Sequence, residues 1–137
     1  MIGPKLLSDA PKTLTPTARK TVWTRQKGLC PWCGNALSEK YMAAHHRLLR
    51  SAGGSWSLSN IVGLHAWCHN VQPKSVHQEP KRAYRLGFMI RTKQITPSDI
   101  PLHDRSFDAW FLLNSDGSRD ELIEDEAMEL MILAGVS

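Results

Sequence analysis

The sequence predicts an α+β domain: a two-stranded hairpin followed by a helix, clasped at both ends by a metal, with a second hairpin and a terminal helix appended. Three observations predict it. All three cysteines and four of the six histidines fall between Cys30 and Asn70, as Cys30-Pro-Trp-Cys33 at one end and His65-Ala-Trp-Cys68-His69 at the other. Between these pairs, a stretch with two adjacent histidines, a loop with Gly53-Gly54 and a short apolar run read as strand, turn and strand. Further on, Ala109-Trp-Phe-Leu-Leu113, an Asn-Ser-Asp-Gly turn and an acidic stretch with recurring apolar residues over 120–133 read as hairpin and helix.

With 137 residues the chain is expected to form one domain with an appendage: a loose tail over 1–15, a core over 16–87 and a segment over 88–137 packed on or docking to the core. The 30–70 segment is too short to bury much apolar surface, and domains of that size usually rely on a metal or a disulfide. Three cysteines cannot all pair internally, and the first five residues lack the basic start and apolar run of a secretory leader. No stretch approaches the ~20 apolar residues of a membrane span. The expectation is an intracellular, reducing setting without a membrane, where a Cys-x-x-Cys pair serves metal binding or redox chemistry. The net charge of +4 hides an asymmetry. Residues 1–93 carry 15 Lys and Arg against three acids, a net +12, while residues 94–137 carry two against ten, a net −8. The basic half suits a polyanion such as nucleic acid; a solvated basic face is the plainer alternative.

Taken in order, Thr15-Pro16 opens a helix over 16–27, with proline at its first position and Gly28 as its stop. Val22 and Trp23 should pack on the metal module, leaving Arg19, Lys20, Arg25 and Lys27 for solvent or phosphate. A strand over 41–49 points His45 and His46 to opposite faces. Residues 51–59 form a loop, and a strand over Ile61–Leu64 returns to place Asn60 and His65 beside the first. A helix runs from Ala66 through His69 and Asn70 and ends near Pro73. Pro80 opens a short helix that Gly87 stops, followed by a weak strand over 88–91 and a loop over 96–101. In the terminal helix, Leu122, Ile123, Ala127, Leu130, Met131 and Ile132 pack on the domain or dock a partner.

Two thiolates separated by two residues grip one tetrahedral ion, because the tight turn brings both sulfurs to one point. Cys30, Cys33, His65 and Cys68 together make a Cys3His set suited to structural zinc. The 31 residues between the pairs exceed an ordinary finger or ribbon, so the ion acts as a clip across an inserted hairpin. The Cys-Pro-Trp-Cys sequence also suits a redox pair, but no alternating strand–helix pattern surrounds it and a second ligand pair waits downstream. Cys30 as a nucleophile ranks low, because a thiolate committed to zinc is a poor free nucleophile.

These groups, together with His45-His46, Asn60 and His69, resemble the HNH endonucleases of the His-Me finger, or ββα-metal, class. The family pattern is Cys-x-x-Cys, then His or an acid followed by His, Gly-Gly, Asn, and Cys-x-x-Cys-His. The likeness covers about residues 29–72, with His65 standing where the family has a cysteine. Ala83, Gly87-Phe88 and the second hairpin resemble appendages of phage-encoded members. The resemblance implies a ββα-metal core and a metal-dependent DNA endonuclease leaving 5′-phosphate and 3′-hydroxyl ends. It makes His46 the general base, a role that suits an imidazole titrating near neutrality. His45 and His69 would hold a catalytic divalent ion (Mg2+, Mn2+, Ni2+ or Zn2+) beside the structural Zn2+, and Asn60 would hold the loop and orient His46. Arg47, Arg50 and Lys74 are candidate phosphate contacts, which position DNA without reading it. Double-stranded DNA is the implied partner, in the cytoplasm of a bacterial host. By analogy with some phage HNH proteins, the resemblance allows terminase subunits as partners, and a homing endonuclease role is also open. The competing function is a non-catalytic, zinc-dependent nucleic-acid-binding adaptor. Singly, the same residues have ordinary readings: packed strand histidines, a turn asparagine, and a His69 that merely neighbours the zinc.

Overall fold

The computed structural model describes residues 13–91 and 95–135, so residues 1–12 of the expected tail lie outside the described residues. Helix α1 (Pro16–Arg25) starts as expected: the Thr15 side chain accepts from the Ala18 N–H, and Pro16 occupies the first turn, where a missing N–H costs nothing. It ends early because Lys27 and Gly28 both take positive φ (59° and 71°), with the Gly28 N–H returned to the Trp23 carbonyl. Val22 is fully buried, and the Trp23 indole donates to the Leu37 carbonyl at 2.7 Å. Two arginines expected in solvent or on phosphate instead tie α1 to the chain beside it. Arg19 donates to the carbonyls of Glu39 and Met42, and buried Arg25 donates to those of Leu58 and Ile61.

After α1 the chain forms a tight knuckle. The Gly34 N–H bonds the Cys30 carbonyl, the Cys30 N–H bonds the Asn35 carbonyl, and Gly34 sits at φ 84°, a conformation glycine reaches without strain. Strands β1 (Ala43–His46) and β2 (Ile61–Leu64) pair antiparallel, with His45 opposite Val62 and His46 opposite Ile61. The first strand is four residues, shorter than expected, because the chain leaves the ladder at Arg47. The expected helix after β2 is a single wide turn, Trp67–Val71, closed by the Gln72 N–H on the Trp67 carbonyl five residues back. A 3₁₀ turn (Val76–Gln78) and helix α2 (Pro80–Arg85) follow. Residues 88–91 are not the expected strand. The Phe88 and Met89 N–H groups both return to the Ala83 carbonyl, and Gly87 at φ 83° turns the chain there.

The second sheet has the order β3-β4-β5: β3 (Leu102–Asp104), which the sequence did not announce, then β4 (Ala109–Leu113) and β5 (Arg119–Leu122). Helix α3 (Glu124–Leu133) closes the described chain, burying Ala127 and Met131 and leaving Ile123, Ile132 and Leu133 exposed. The architecture is thus mixed α+β with two sheets. The segment from 88 onward shares the main core. Phe88, Phe111 and Leu113 cluster with Val22, Ile61 and Leu64, while Leu48, Ile90, Ile100 and Met131 form a smaller cluster under α3. The second sheet is also tied to the knuckle, through the Arg105 N–H on the Pro31 carbonyl and the Ser106 hydroxyl on the Cys30 carbonyl. Among the described residues no helix is long and apolar enough to cross a membrane.

Candidate metal centres

The knuckle and the turn after β2 bring Cys30, Cys33, His65 and Cys68 together, one ligand atom from each lying within 4.8 Å of the others. The His65 Nδ1 is 3.4 Å from the Cys33 sulfur and 3.8 Å from that of Cys68. Around one tetrahedral zinc, a sulfur ligand and a nitrogen ligand lie roughly 3.6 Å apart, so the spacing fits that ion. The far nitrogen of His65 donates to the Ala36 carbonyl at 2.8 Å, which puts the proton on Nε2 and turns the Nδ1 lone pair toward the sulfurs. Burial pushes the Cys30 and Cys68 thiols above their ordinary range, with neighbouring cysteine sulfurs adding to it. A cation among them reverses that preference, because coordination requires the thiolate. Cys30, Cys33, His65 and Cys68 can therefore hold a zinc ion.

A second cluster gathers around His45 of β1. His45, His69 and His77 offer ring nitrogens within 4.8 Å of one another. His45 is fully buried, and its Nε2 donates to the Phe88 carbonyl at 2.5 Å. Its Nδ1 is buried with no partner among the described residues. A buried acceptor without a donor is costly, and a metal ion is one answer to it. The Nε2 atoms of His69 and His77 lie 3.2 Å apart, close to the roughly 3.3 Å expected for two nitrogens on one tetrahedral first-row ion. Burial and the neighbouring imidazoles push His45 down to about 3 and His69 down to about 4; His77 is also lowered, by burial. All three are thus neutral at pH 7, as ligands must be.

The sequence reading paired His45 with His69 and missed His77. The only signal was a lone histidine eight residues after His69, in a polar stretch with no ligand spacing. Position is supplied from a distance. The Trp32 indole, inside the Cys-x-x-Cys knuckle, donates to the Lys74 carbonyl at 2.8 Å and anchors the chain just before the turn that carries His77.

His46 lies near enough to His69 to help lower its pKa, and it packs edge-on against Trp56, ring centroids 4.2 Å apart. Trp56 is the other neighbour that sequence reasoning did not find. The His46 Nε2 is buried without a partner among the described residues. Burial first, and Arg50 second, lower its pKa from the usual imidazole value. The Asn60 side chain makes no hydrogen bond to His46 among the described residues, but the Asn60 backbone carbonyl accepts from the N–H of Arg47, the residue after His46, at 2.9 Å. The Asn60 side chain accepts from the Leu48 N–H and donates to the carbonyls of Leu48 and Ser55, so it closes the loop between the strands.

Of the three expected phosphate contacts, Arg47 is corrected: it is fully buried, and its guanidinium is spent on the carbonyls of Gly87, Ser59, Pro97 and Ile100. Arg50 is exposed, its guanidinium 5.4 Å from the Trp56 ring centroid, and Lys74 is exposed as well. Compared with known proteins, the chain matches no family model, no curated protein and no solved structure.

Proposed function

We propose that this chain is a metal-dependent DNA endonuclease of the HNH kind, hydrolysing phosphodiester bonds to 5′-phosphate and 3′-hydroxyl ends. One observation carries the reading: three imidazoles converge on a common point, beside a fourth, His46, that is committed to nothing else among the described residues. In this reading β1, β2 and the turn Trp67–Val71 are a ββα-metal core with its helix reduced to one turn. His45, His69 and His77 would hold the divalent ion, and three protein ligands leave room for substrate oxygens. Such an ion supplies Lewis acidity toward the phosphate and the departing oxygen.

The protein's own part is the proton. His46, neutral at pH 7, takes a proton from water on a ring nitrogen. The water oxygen bonds to phosphorus, the bond from phosphorus to O3′ breaks, and O3′ acquires a proton from solvent. Trp56 packs on the imidazole, and exposed Arg50 and Lys74 would meet the DNA backbone. Action alongside a phage terminase belongs to the same reading and rests on the sequence likeness alone.

The test is a supercoiled-plasmid assay with Mg2+, Mn2+, Ni2+ or Zn2+ added, comparing wild type with His46→Ala. Metal-dependent nicking by wild type, at least 100-fold reduced in the variant with zinc content and DNA retention unchanged, is the expected result. Equal cleavage by the variant removes His46 as the base. No cleavage with any metal, with DNA still retained, favours the non-catalytic adaptor.

A further inference from the structure

The second sheet carries a feature that the histidine site does not use. Strand register sets Phe111 opposite Glu121 and Leu113 opposite Arg119, so Phe111, Arg119 and Glu121 share one face of the sheet, while Trp110 on the other face packs toward α3. The first face and the C-terminal end of α1 enclose an open cavity of about 640 Å³, whose lining includes Arg25, Lys27, Phe107, Phe111, Arg119 and Glu121. The Arg119 guanidinium lies 3.7 Å from the Phe111 ring centroid and 5.3 Å from that of Phe107. Its Nη1 pairs with the fully buried Asp104 at 2.8 Å, and the other Asp104 oxygen accepts from the Ser106 N–H.

Three cations, Arg25, Lys27 and Arg119, stand against two carboxylates, Asp104, already paired with Arg119, and Glu121, so the cavity keeps a net positive charge. Arg25 donates from Nη1 and Nη2 to two carbonyls, its Nε has no partner among the described residues, and, like exposed Lys27, it forms no ion pair among them. Arg25 remains charged at neutral pH even with its pKa lowered to about 10 by burial. Beside these cations the Phe107 ring is 44% exposed. An uncovered aromatic ring among cations is the composition of a stacking platform for a base attached to a phosphate. Glu121 argues against a bare anion and for a base, since a carboxylate accepts from an exocyclic amine.

We propose that this cavity binds one unpaired nucleotide, with its base on Phe107 and its phosphate between Lys27 and Arg119. The nucleotide comes either free or as part of a single strand. The site also has a route to the histidines: Arg25 donates to the carbonyl of Ile61, the residue paired with His46 across β1 and β2. A strand held here is therefore anchored at the start of β2. Binding does not require the endonuclease reading; only a role in presenting substrate does.

The experiment measures fluorescence anisotropy of labelled (dC)8 with the full chain carrying His46→Ala, so that cleavage plays no part. Wild-type cavity residues should bind it. Phe107→Ala should weaken binding about tenfold, since stacking contributes ~1–3 kcal/mol per base. Lys27→Gln should flatten the salt dependence by about 0.7 in log–log slope. Both side chains are exposed, so zinc content serves as the folding control. Competition by dCMP assigns the site to free nucleotides, whereas competition by (dC)8 but not dCMP assigns it to strands. The proposal is overturned if (dC)8 does not bind, if Phe107→Ala binds it like the parent, or if inorganic phosphate competes as well as dCMP. Plasmid nicking by the wild type is a separate readout, so the two proposals fail separately.

Discussion

At the residue scale the molecule turns on groups that read alike in sequence and behave oppositely in place. Arg47 and Arg50 are three positions apart, yet one is buried among carbonyls and the other stands in solvent. Removing Arg47 strands those carbonyls without donors, at roughly 1–3 kcal/mol for each one left dry. Arg47→Met should therefore lower stability by at least about 3 kcal/mol, read from the urea midpoint, whereas Arg50→Ala should shift it by less than about 0.5 kcal/mol. His45 sets a pH dependence. The unfolded chain binds a proton at this imidazole below about pH 6.5, while the folded protein, with its pKa pushed down to about 3, does not. Its contribution is thus fully present above pH 6.5 and is lost as pH falls toward 3, by about 1.4 kcal/mol per unit. His69, pushed down to about 4, adds to the same loss, so urea unfolding at pH 7 and pH 5 should show a steeper fall in the wild type than in His45→Asn, the difference being the share of His45; identical slopes would remove His45 as a cause.

At the element scale, short pieces do the positioning. Neither β1 nor the turn Trp67–Val71 is long enough to stand alone, since a two-stranded hairpin and a single helical turn are both marginal in water. Their order comes from what crosses between them: Asn60 on Leu48, Arg25 on Ile61, Gln26 on Gly63 and the four-residue cysteine–histidine cluster. Cys33→Ser should consequently lose zinc and the cooperative unfolding transition together, because ligand binding supplies folding free energy in such modules. Circular dichroism melting with parallel zinc analysis checks it, and a variant that melts like the wild type without zinc would refute the clip. Trp67 stacks on His65, centroids 4.4 Å apart, so its fluorescence should report the same event.

At the scale of the whole molecule, charge and core are distributed differently. The core is continuous from α1 to the second sheet, but the charge divides into a basic first part and an acidic last one. Basic groups near the proposed site that remain exposed include Arg50 and Lys74. Duplex affinity should fall steeply as salt rises, with a log–log slope set by the number of phosphates neutralised. Since Arg47 is inside, its loss from that surface leaves a smaller slope than the sequence count of arginines and lysines would suggest. Filter binding across a range of salt measures it, and a flat response would detach the basic half from nucleic acid.

Some of this was legible in the chain. The Cys-x-x-Cys and His-x-x-Cys spacings announce the cysteine–histidine cluster because tetrahedral coordination demands two tight turns. The period of a strand separates His45 from His46, the Thr-Pro pair starts α1, and the Asn-Ser-Asp-Gly turn marks the second hairpin. All of these are local rules, acting within a few residues. The tertiary structure decided what depends on distant partners. His77 joins His45 and His69 because an indole 42 positions before Lys74 fixes the backbone there. Arg47 turns inward because carbonyls from three separate loops lack donors, and Phe88 gives its carbonyl to His45 because Gly87 bends the chain out of a strand. A sequence shows which groups a residue carries. Which unsatisfied donors and acceptors it will meet is settled only when the whole chain has packed, since a buried polar group must be paired wherever its partner happens to lie.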